Sequence, residues 1–323
     1  MVRALFVLAL AAAGCAAPLP AAPPAEAAPP DPYRTPASPQ LGVSGMAPAG
    51  DGAFLVVHDA KSFEDGPRLS LLTVTAEGVA LRPLPVDDWR HPEGRSSDLE
   101  GACALGDGTF LVAESGTFEG RYGRMFHVRL GGGGADVLAV VRLPFALDSS
   151  PGVDGDNLEG LACVRDGDGS VLVLLGERGA SEAYPTGLVR WARFDPATGA
   201  LDVSDAGRGG VAVSAPGDLV ARGFRSITGL HVTPEGALWA AASRDPGDLG
   251  PFDSVVYRLG RVDARAAVPV VVEPGGAACA VAGFKVEAVS APALGATLSV
   301  GTEDEAFGGT WRPFVCEPAP PRP

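Results

Sequence analysis

The chain has 323 residues, 46% hydrophobic and 20% charged, with a net charge of −14. It is long enough for one large core or two small ones, and its composition is that of a globular chain. The acidic balance, with no basic stripe to neutralise a phosphate backbone, excludes a nucleic-acid partner.

The first 15 residues have the form of a secretory signal. Arg3 gives a positive start, Leu5 to Ala13 an apolar stretch, and small residues follow. The stretch is too short to cross a bilayer as a helix. Its end, Leu10-Ala11-Ala12-Ala13-Gly14-Cys15, resembles a bacterial lipobox. That resemblance implies acylation of Cys15 and an exported chain held at the bacterial cell envelope by a lipid anchor, which is then its one membrane contact. Ordinary cleavage near Cys15 would instead leave a soluble periplasmic or secreted protein. Residues 16–40 are rich in Ala and Pro and read as a semi-extended tether.

From residue 41 a phrase recurs. Asp98-Leu99-Glu100-Gly101-Ala102 returns as Asn157-Leu158-Glu159-Gly160-Leu161 and, more loosely, around Ser226–Leu230, Lys285–Val289 and Val43–Met46. Each copy runs into a turn, such as Gly106-Asp107-Gly108 or Gly167-Asp168-Gly169, and then a second apolar run. A unit of roughly 60 residues is too long for a hairpin and fits a four-stranded antiparallel blade. The second unit reads most clearly, with strands over Leu99–Leu105, Thr109–Ala113, Arg124–Leu130 and Val137–Leu143. No helical periodicity is sustained after residue 40. The expectation is an all-β fold: a single β-propeller over residues 41–316 and a short tail at 317–323. Five blades are favoured; a sixth could hide within Ala180–Ala221. The last unit has three clear strands, so closure needs an N-terminal strand around Pro36–Val43.

The inner strand of each blade lines the channel of a propeller, and residues two apart on a strand share a face. Glu100, Glu159 and Glu287 therefore fall in one tier, with Thr228 and Ser44 in the remaining places. Asp98, Asn157, Ser226 and Lys285 form a second tier. Carboxylates converging on an axis repel unless something positive sits among them. Ca²⁺ held by Glu100, Glu159, Glu287, Asp98 and Asn157 is one solution, since hard cations take oxygen ligands. The other is that the glutamates latch backbone amides of the next blade. A second ring stands at the ends of the second strands: His58-Asp59, Glu114, Glu177-Arg178, Arg244-Asp245 and Glu303-Asp304-Glu305. Arg178, Arg244 and Lys285 are the candidates to hold an anion beside a metal, as phosphoryl chemistry requires. The same cations could instead form internal ion pairs.

Asp154-Gly155-Asp156-Asn157 and Asp166-Gly167-Asp168-Gly169 look like calcium loops but lack the spaced glutamate, and they sit where turns are expected. The run Gly131–Gly134 lacks a P-loop lysine, and no Gly-x-Ser-x-Gly elbow occurs. Cys279 and Cys316 bracket the last repeat and could be bonded. Cys103 and Cys163, on the first strands of consecutive repeats, could be bonded or buried thiols.

The pair Ser97-Asp98-Leu99-Glu100-Gly101-Ala102 and Asp156-Asn157-Leu158-Glu159-Gly160-Leu161-Ala162 resembles exported bacterial propellers related to the esterase-like phytase domain and to the SdiA-regulated propellers. Arg225-Ser226-Ile227 and Lys285-Val286-Glu287-Ala288 sit at that family's later blade starts. The resemblance covers roughly residues 41 to 315. Gly283-Phe284-Lys285-Val286-Glu287 with Leu298-Ser299-Val300-Gly301 is also similar to a strand pair of calcium-activated nucleotidases, five-bladed propellers with calcium in the channel. Together these imply a monomeric propeller with a calcium-binding acidic funnel, acting on a small anionic substrate as a phosphoester hydrolase. The alternative is a non-catalytic envelope module that binds a partner protein on the propeller face.

Overall fold

The computed structural model describes residues 31–35, 41–50, 52–118, 120–274 and 276–316. Residues 1–30 with Cys15, residues 36–40 and the tail 317–323 lie outside the described residues.

Among the described residues the strands form five blades. The first is β1 (Gly45–Gly50), β2 (Ala53–Val57), β3 (Leu69–Thr75) and β4 (Gly78–Pro83). The second uses β5 (Leu99–Ala104) and β6 (Thr109–Glu114), is interrupted by a small hairpin, β7 (Thr117–Phe118) and β8 (Arg121–Tyr122), and ends with β9 (Arg124–Gly131) and β10 (Gly134–Arg142). The third is β11 (Leu158–Arg165), β12 (Val171–Glu177), β13 (Gly187–Asp195) and β14 (Ala200–Asp202). After the short helix α1 (Asp205–Gly209), β15 (Val211–Val213) returns to pair with β13. The fourth is β16 (Gly229–Val232), β17 (Ala237–Arg244), β18 (Asp253–Val262) and β19 (Val270–Val272), with β20 (Ala278–Ala282) also on β18. The fifth is β21 (Val286–Ser290), β22 (Leu298–Glu303) and β23 (Gly309–Phe314). The long interval over Ala180–Ala221 holds the outer strands of the third blade and α1, so the propeller has five blades rather than six.

Closure uses the N-terminal segment. Arg34 bridges Thr310, and the amides of Thr35 and Trp311 bond Gly309 and Tyr33 carbonyls across the outer edge of β23. The closing strand thus stands at residues 33–35, just ahead of the expected Pro36–Val43, inside the segment expected to be tether. Val43 N–H separately donates to Thr302 O at 2.9 Å.

The apolar side chains pack at the seams between blades. One cluster joins Leu55, Val57 and Leu99 with Phe110 and Phe126; another joins Leu174 and Trp191 with Leu230 and Ala240. The last seam, with Val43, Met46, Phe54, Ala288 and Trp311, closes the ring. β1, β5, β11, β16 and β21 pack one on the next, and β21 returns to β1. Glycine makes that ring possible. A Cβ on Gly101 would stand 2.6 Å from Leu161 Cβ, and one on Gly229 2.8 Å from the Glu287 carbonyl oxygen.

Cys103 and Cys163 are joined across the second and third blades, and Cys279 and Cys316 tie β20 to the chain after β23. Among the described residues no helix is long and apolar enough to cross a membrane.

Candidate functional site

The repeated Leu-Glu-Gly phrase is a β-bulge. In β5 the ladder pairs Leu99 with Glu114 and Gly101 with Ala113, leaving Glu100 as the extra residue. The same slip occurs at Leu158/Gly160 in β11 and at Val286/Ala288 in β21. A bulge turns the side chain of its unpaired residue out of the regular alternation. It turns Glu100, Glu159 and Glu287 toward the axis, so strict alternation does not govern these positions. Asp98 reaches the same space by another route, a left-handed backbone with φ of 63°, which Asp tolerates better than most side chains.

These residues border a basin of about 180 Å³ at one end of the channel. Its lining holds eight carboxylates and four cations: Asp59, Asp98, Glu100, Glu159, Asp245, Glu287, Glu303 and Glu305 against Lys61, Arg178, Arg225 and Lys285, with Ser115 and Asn157 beside them. Below the glutamates the inner strands narrow to a gap of about 10 Å³, room for about one water. A funnel of about 600 Å³ opens at the other end. Its lining is mostly apolar, so the chemistry sits in the basin.

The charges are not evenly mixed. Arg225 Nη1 stands 3.7 Å from Glu159 and 3.8 Å from Glu287. Arg178 Nη1 is 3.4 Å from Glu159, and Lys285 Nζ is 3.0 Å from Glu287 and 3.2 Å from Glu303. Repulsion among the glutamates is thus relieved on this side by protein cations. The opposite side is richer in acid. Asp59, Asp98 and Glu100 each offer an oxygen, and these lie within 4.8 Å of one another. There Lys61 pairs with Asp98, and Ser115 Oγ donates to Asp98 Oδ2 at 2.9 Å.

The ionisation of these groups follows from burial. Burial, then repulsion from Glu303, pushes Asp59 up to about 7. Burial, then the Glu159, Asp98 and Glu287 carboxylates, raises Glu100 well above the usual range. Burial also raises Glu159 and Glu287, against the pull of Arg225 on the first and Lys285 on the second. Burial opposes the charge on Arg225 and on Lys285, but surrounding carboxylates outweigh it and raise both.

The second ring divides in two. At three of the strand ends one residue fastens the blade by accepting a backbone amide. Glu114 accepts Ser97 N–H at 2.9 Å, Glu177 accepts Asp156 N–H at 3.0 Å, and Asp304 accepts Lys285 N–H at 2.9 Å. Arg124 and Arg190 pair with the first two. These are the backbone latches, and the next residue, Ser115 or Arg178, lines the basin. In the first and fourth blades Asp59 and Asp245 occupy the equivalent place.

Of the sequence candidates, Asp98, Glu100, Asn157, Glu159, Arg178, Lys285 and Glu287 all border the basin. Arg244 does not. Its guanidinium pairs with Asp253 at 2.9 Å, the charge-reversed counterpart of the Glu114–Arg124 pair. Arg225 supplies the cation instead. It stands one residue before the tier of Asp98, Asn157, Ser226 and Lys285, so extending the repeat by one position would have found it. Ser226 is buried, its hydroxyl accepting from Ala215 N–H. Asp59 and Lys61 came from the first blade, where the phrase is weakest.

The oxygen-only donors of Asp59, Asp98 and Glu100 suit a hard divalent cation, since ligands about 2.3–2.6 Å from Ca²⁺ are spaced as these oxygens are. With no His or Cys among them, they do not suit zinc.

A family model described as "Phytase-like: Esterase-like activity of phytase" matches residues 39–282. No curated protein matches the chain significantly. Several solved structures resemble the chain at low identity. A thermostable family-43 glycoside hydrolase is 8% identical, with a TM-score of 0.48, over 84% of this chain and 88% of its own. An endo-1,5-α-L-arabinanase of Thermotoga petrophila RKU-1 is 11% identical, with a TM-score of 0.45, over 84% and 70%. A GH43_1 enzyme of Xanthomonas citri is 12% identical, with a TM-score of 0.43, over 87% and 89%. These likenesses carry no argument about chemistry or substrate.

Proposed function

The chain belongs to the phytase-like family, and on that basis we propose that it is a calcium-dependent phosphoester hydrolase, exported and lipid-anchored through Cys15, working in the mixed-charge basin. One observation carries the reading. A compact acid trio and a set of protein cations share one space of about 180 Å³.

Asp59, Asp98 and Glu100 would hold the ion. When bound it polarises a phosphoryl oxygen and lowers the pKa of a coordinated water. Arg178 and Arg225, each with part of its side chain open to solvent, bind phosphate oxygens by charge-assisted hydrogen bonds and hold the ester against the acid trio. Lys285, nearly buried beneath them, adds positive potential. The narrow gap below keeps bulk water from entering through the channel. Hydrolysis adds one water across the P–O bond and releases the alcohol and phosphate.

The test is calorimetry with Ca²⁺, followed by a panel of p-nitrophenyl phosphate, bis-p-nitrophenyl phosphate and inositol hexakisphosphate. The reading expects calcium binding that Glu100→Gln weakens at least tenfold, and calcium-dependent turnover that Arg178→Ala and Arg225→Ala reduce. Calcium binding with no turnover of any ester would replace the hydrolase by the non-catalytic envelope module. No calcium binding would remove the metal.

A further inference from the structure

A second concavity, of about 420 Å³, opens beside the basin. The two share Lys61, Asp98, Ser115 and Asn157 in their linings, so they form one continuous site. Their chemistry differs. The basin is almost wholly charged, while the cleft carries Phe63 from the loop between β2 and β3 and Phe118 from the β7–β8 hairpin. Phe63 is 76% exposed and Phe118 61% exposed. Two open phenyl rings meeting in one concavity mark a binding site rather than scattered surface residues.

The cleft is built rather than accidental. Ser62 Oγ and Tyr122 Oη lie 2.6 Å apart and tie the two loops that carry the rings. Ser62 N–H donates to Ser97 Oγ at 3.1 Å, and Thr117 N–H donates to Leu147 O at 2.7 Å. Arg121 lies over the Tyr122 ring at 5.1 Å. The cleft sets Lys61 and Arg121 against Asp98 and Asp148, so an anionic head belongs in the basin beside Arg178 and Arg225 rather than in the cleft.

Size completes the argument. Sites for small ligands run to about 300–1,000 Å³. The basin admits little more than one phosphate group, and the rest of a substrate must lie in the cleft. A polyphosphorylated ring would set charge against Phe63 and Phe118 and leave it without partners.

We propose that the cleft is the leaving-group subsite, and that the preferred substrate is a phosphate ester of an aromatic alcohol, its anionic head in the basin and its ring against Phe63 and Phe118. This rests on the hydrolase reading for turnover but not for binding. The overall reaction is the hydrolysis already written: the bond from phosphorus to the aryl oxygen breaks, water supplies the new P–O bond, and the aryl alcohol leaves with a proton.

The experiment compares kcat/KM for 1-naphthyl phosphate, hexyl phosphate and glycerol phosphate in the calcium-loaded protein and in Phe63→Ala, Phe118→Ala and the double variant. Calorimetric binding of the non-hydrolysable benzylphosphonate is measured alongside, with melting temperature as the folding control. The expected result is an aryl preference of at least tenfold over both other esters, shrinking severalfold through KM in the double variant to what the better aryloxide leaving group alone supplies, with benzylphosphonate binding weakened to match. Benzylphosphonate binding that depends on the two rings, without turnover of any ester, would support the subsite and overturn the hydrolase. Turnover with equal efficiency on all three esters, insensitive to both rings, would overturn the subsite and leave the hydrolase. Equal preference for hexyl and naphthyl phosphate would overturn the aromatic assignment.

Discussion

Arg225 Nη1 lies 3.7 Å from Glu159 Oε1, so the loop ahead of the fourth blade neutralises the bulge of the third. The same guanidinium faces Glu287 and pairs with Asp245 at 3.0 Å. A protein cation thus stands on one side of the axis, while Asp59, Asp98 and Glu100 crowd the other. A cation and an anion should feel this divided basin in opposite ways.

Arg225→Ala should therefore raise calcium affinity several-fold, because the potential around the acid trio becomes more negative. It should weaken orthophosphate binding about tenfold, because a charge-assisted donor is lost. It should also cost roughly 1–3 kcal/mol of stability, by leaving buried Glu159 to Arg178 and buried Glu287 to Lys285 alone. Calorimetry with each ion and urea unfolding give the three numbers. A change of the same sign for both ions would refute the division.

The repeat made the architecture legible, since the apolar runs and glycine turns mark most inner strands to within a residue or two, though β10 begins three residues before the expected Val137. The tier of Glu100, Glu159 and Glu287 followed from it, while five blades were only favoured over six. The bulge was not legible, because period two treats Leu99-Glu100-Gly101 as ordinary strand when its pairing slips at Glu100. Nor was the division of labour at Glu177-Arg178, where one side chain bonds a backbone amide and the next borders the basin. Neighbours in sequence point to different elements there, and only the fold says which. Arg244 looked equivalent to Arg178, but it occupies the position of Glu114 and Glu177 and is paired with Asp253.

The latch can be weighed in the second blade. Glu114 and Arg124 are both fully buried, with Arg124 Nη2 2.6 Å from Glu114 Oε1. Arg124→Met strands a carboxylate that burial already pushes upward, and should cost about 3–5 kcal/mol. Adding Glu114→Leu should recover part of that loss but not all, because Ser97 N–H then loses its acceptor. A double-mutant cycle in urea measures the coupling. Additive losses would show that the pair does not act as a unit.

The Cys103–Cys163 bond closes a loop of 60 residues between neighbouring blades. Replacing both by alanine should lower stability by about 2–4 kcal/mol. Calcium affinity should hold within about twofold, because the bond borders the wide funnel and the narrow gap lies between it and the basin. Thermal unfolding with and without reductant, beside calcium calorimetry, separates the two effects. A calcium affinity that follows the disulfide would mean that the two mouths are coupled.

His231 lies on β16 opposite Trp239 and borders the wide funnel, with Glu235 and Arg165 on the same wall. Its Nε2 is buried with no hydrogen-bond partner among the described residues. Burial holds its pKa down at about 4, against 6.5 for an exposed imidazole. The folded protein therefore keeps this ring neutral where the unfolded chain takes up a proton. Stability from this group is complete above about pH 6.5 and drains away as pH falls toward 4. His231→Leu cannot titrate, so its stability relative to the parent should rise by up to roughly 3 kcal/mol between pH 7 and pH 4. Urea unfolding of both proteins across that range cancels the contributions of the carboxylates common to them. A gap that stays constant with pH would mean that the folded ring takes up its proton as readily as in the unfolded chain, and that the funnel wall solvates it.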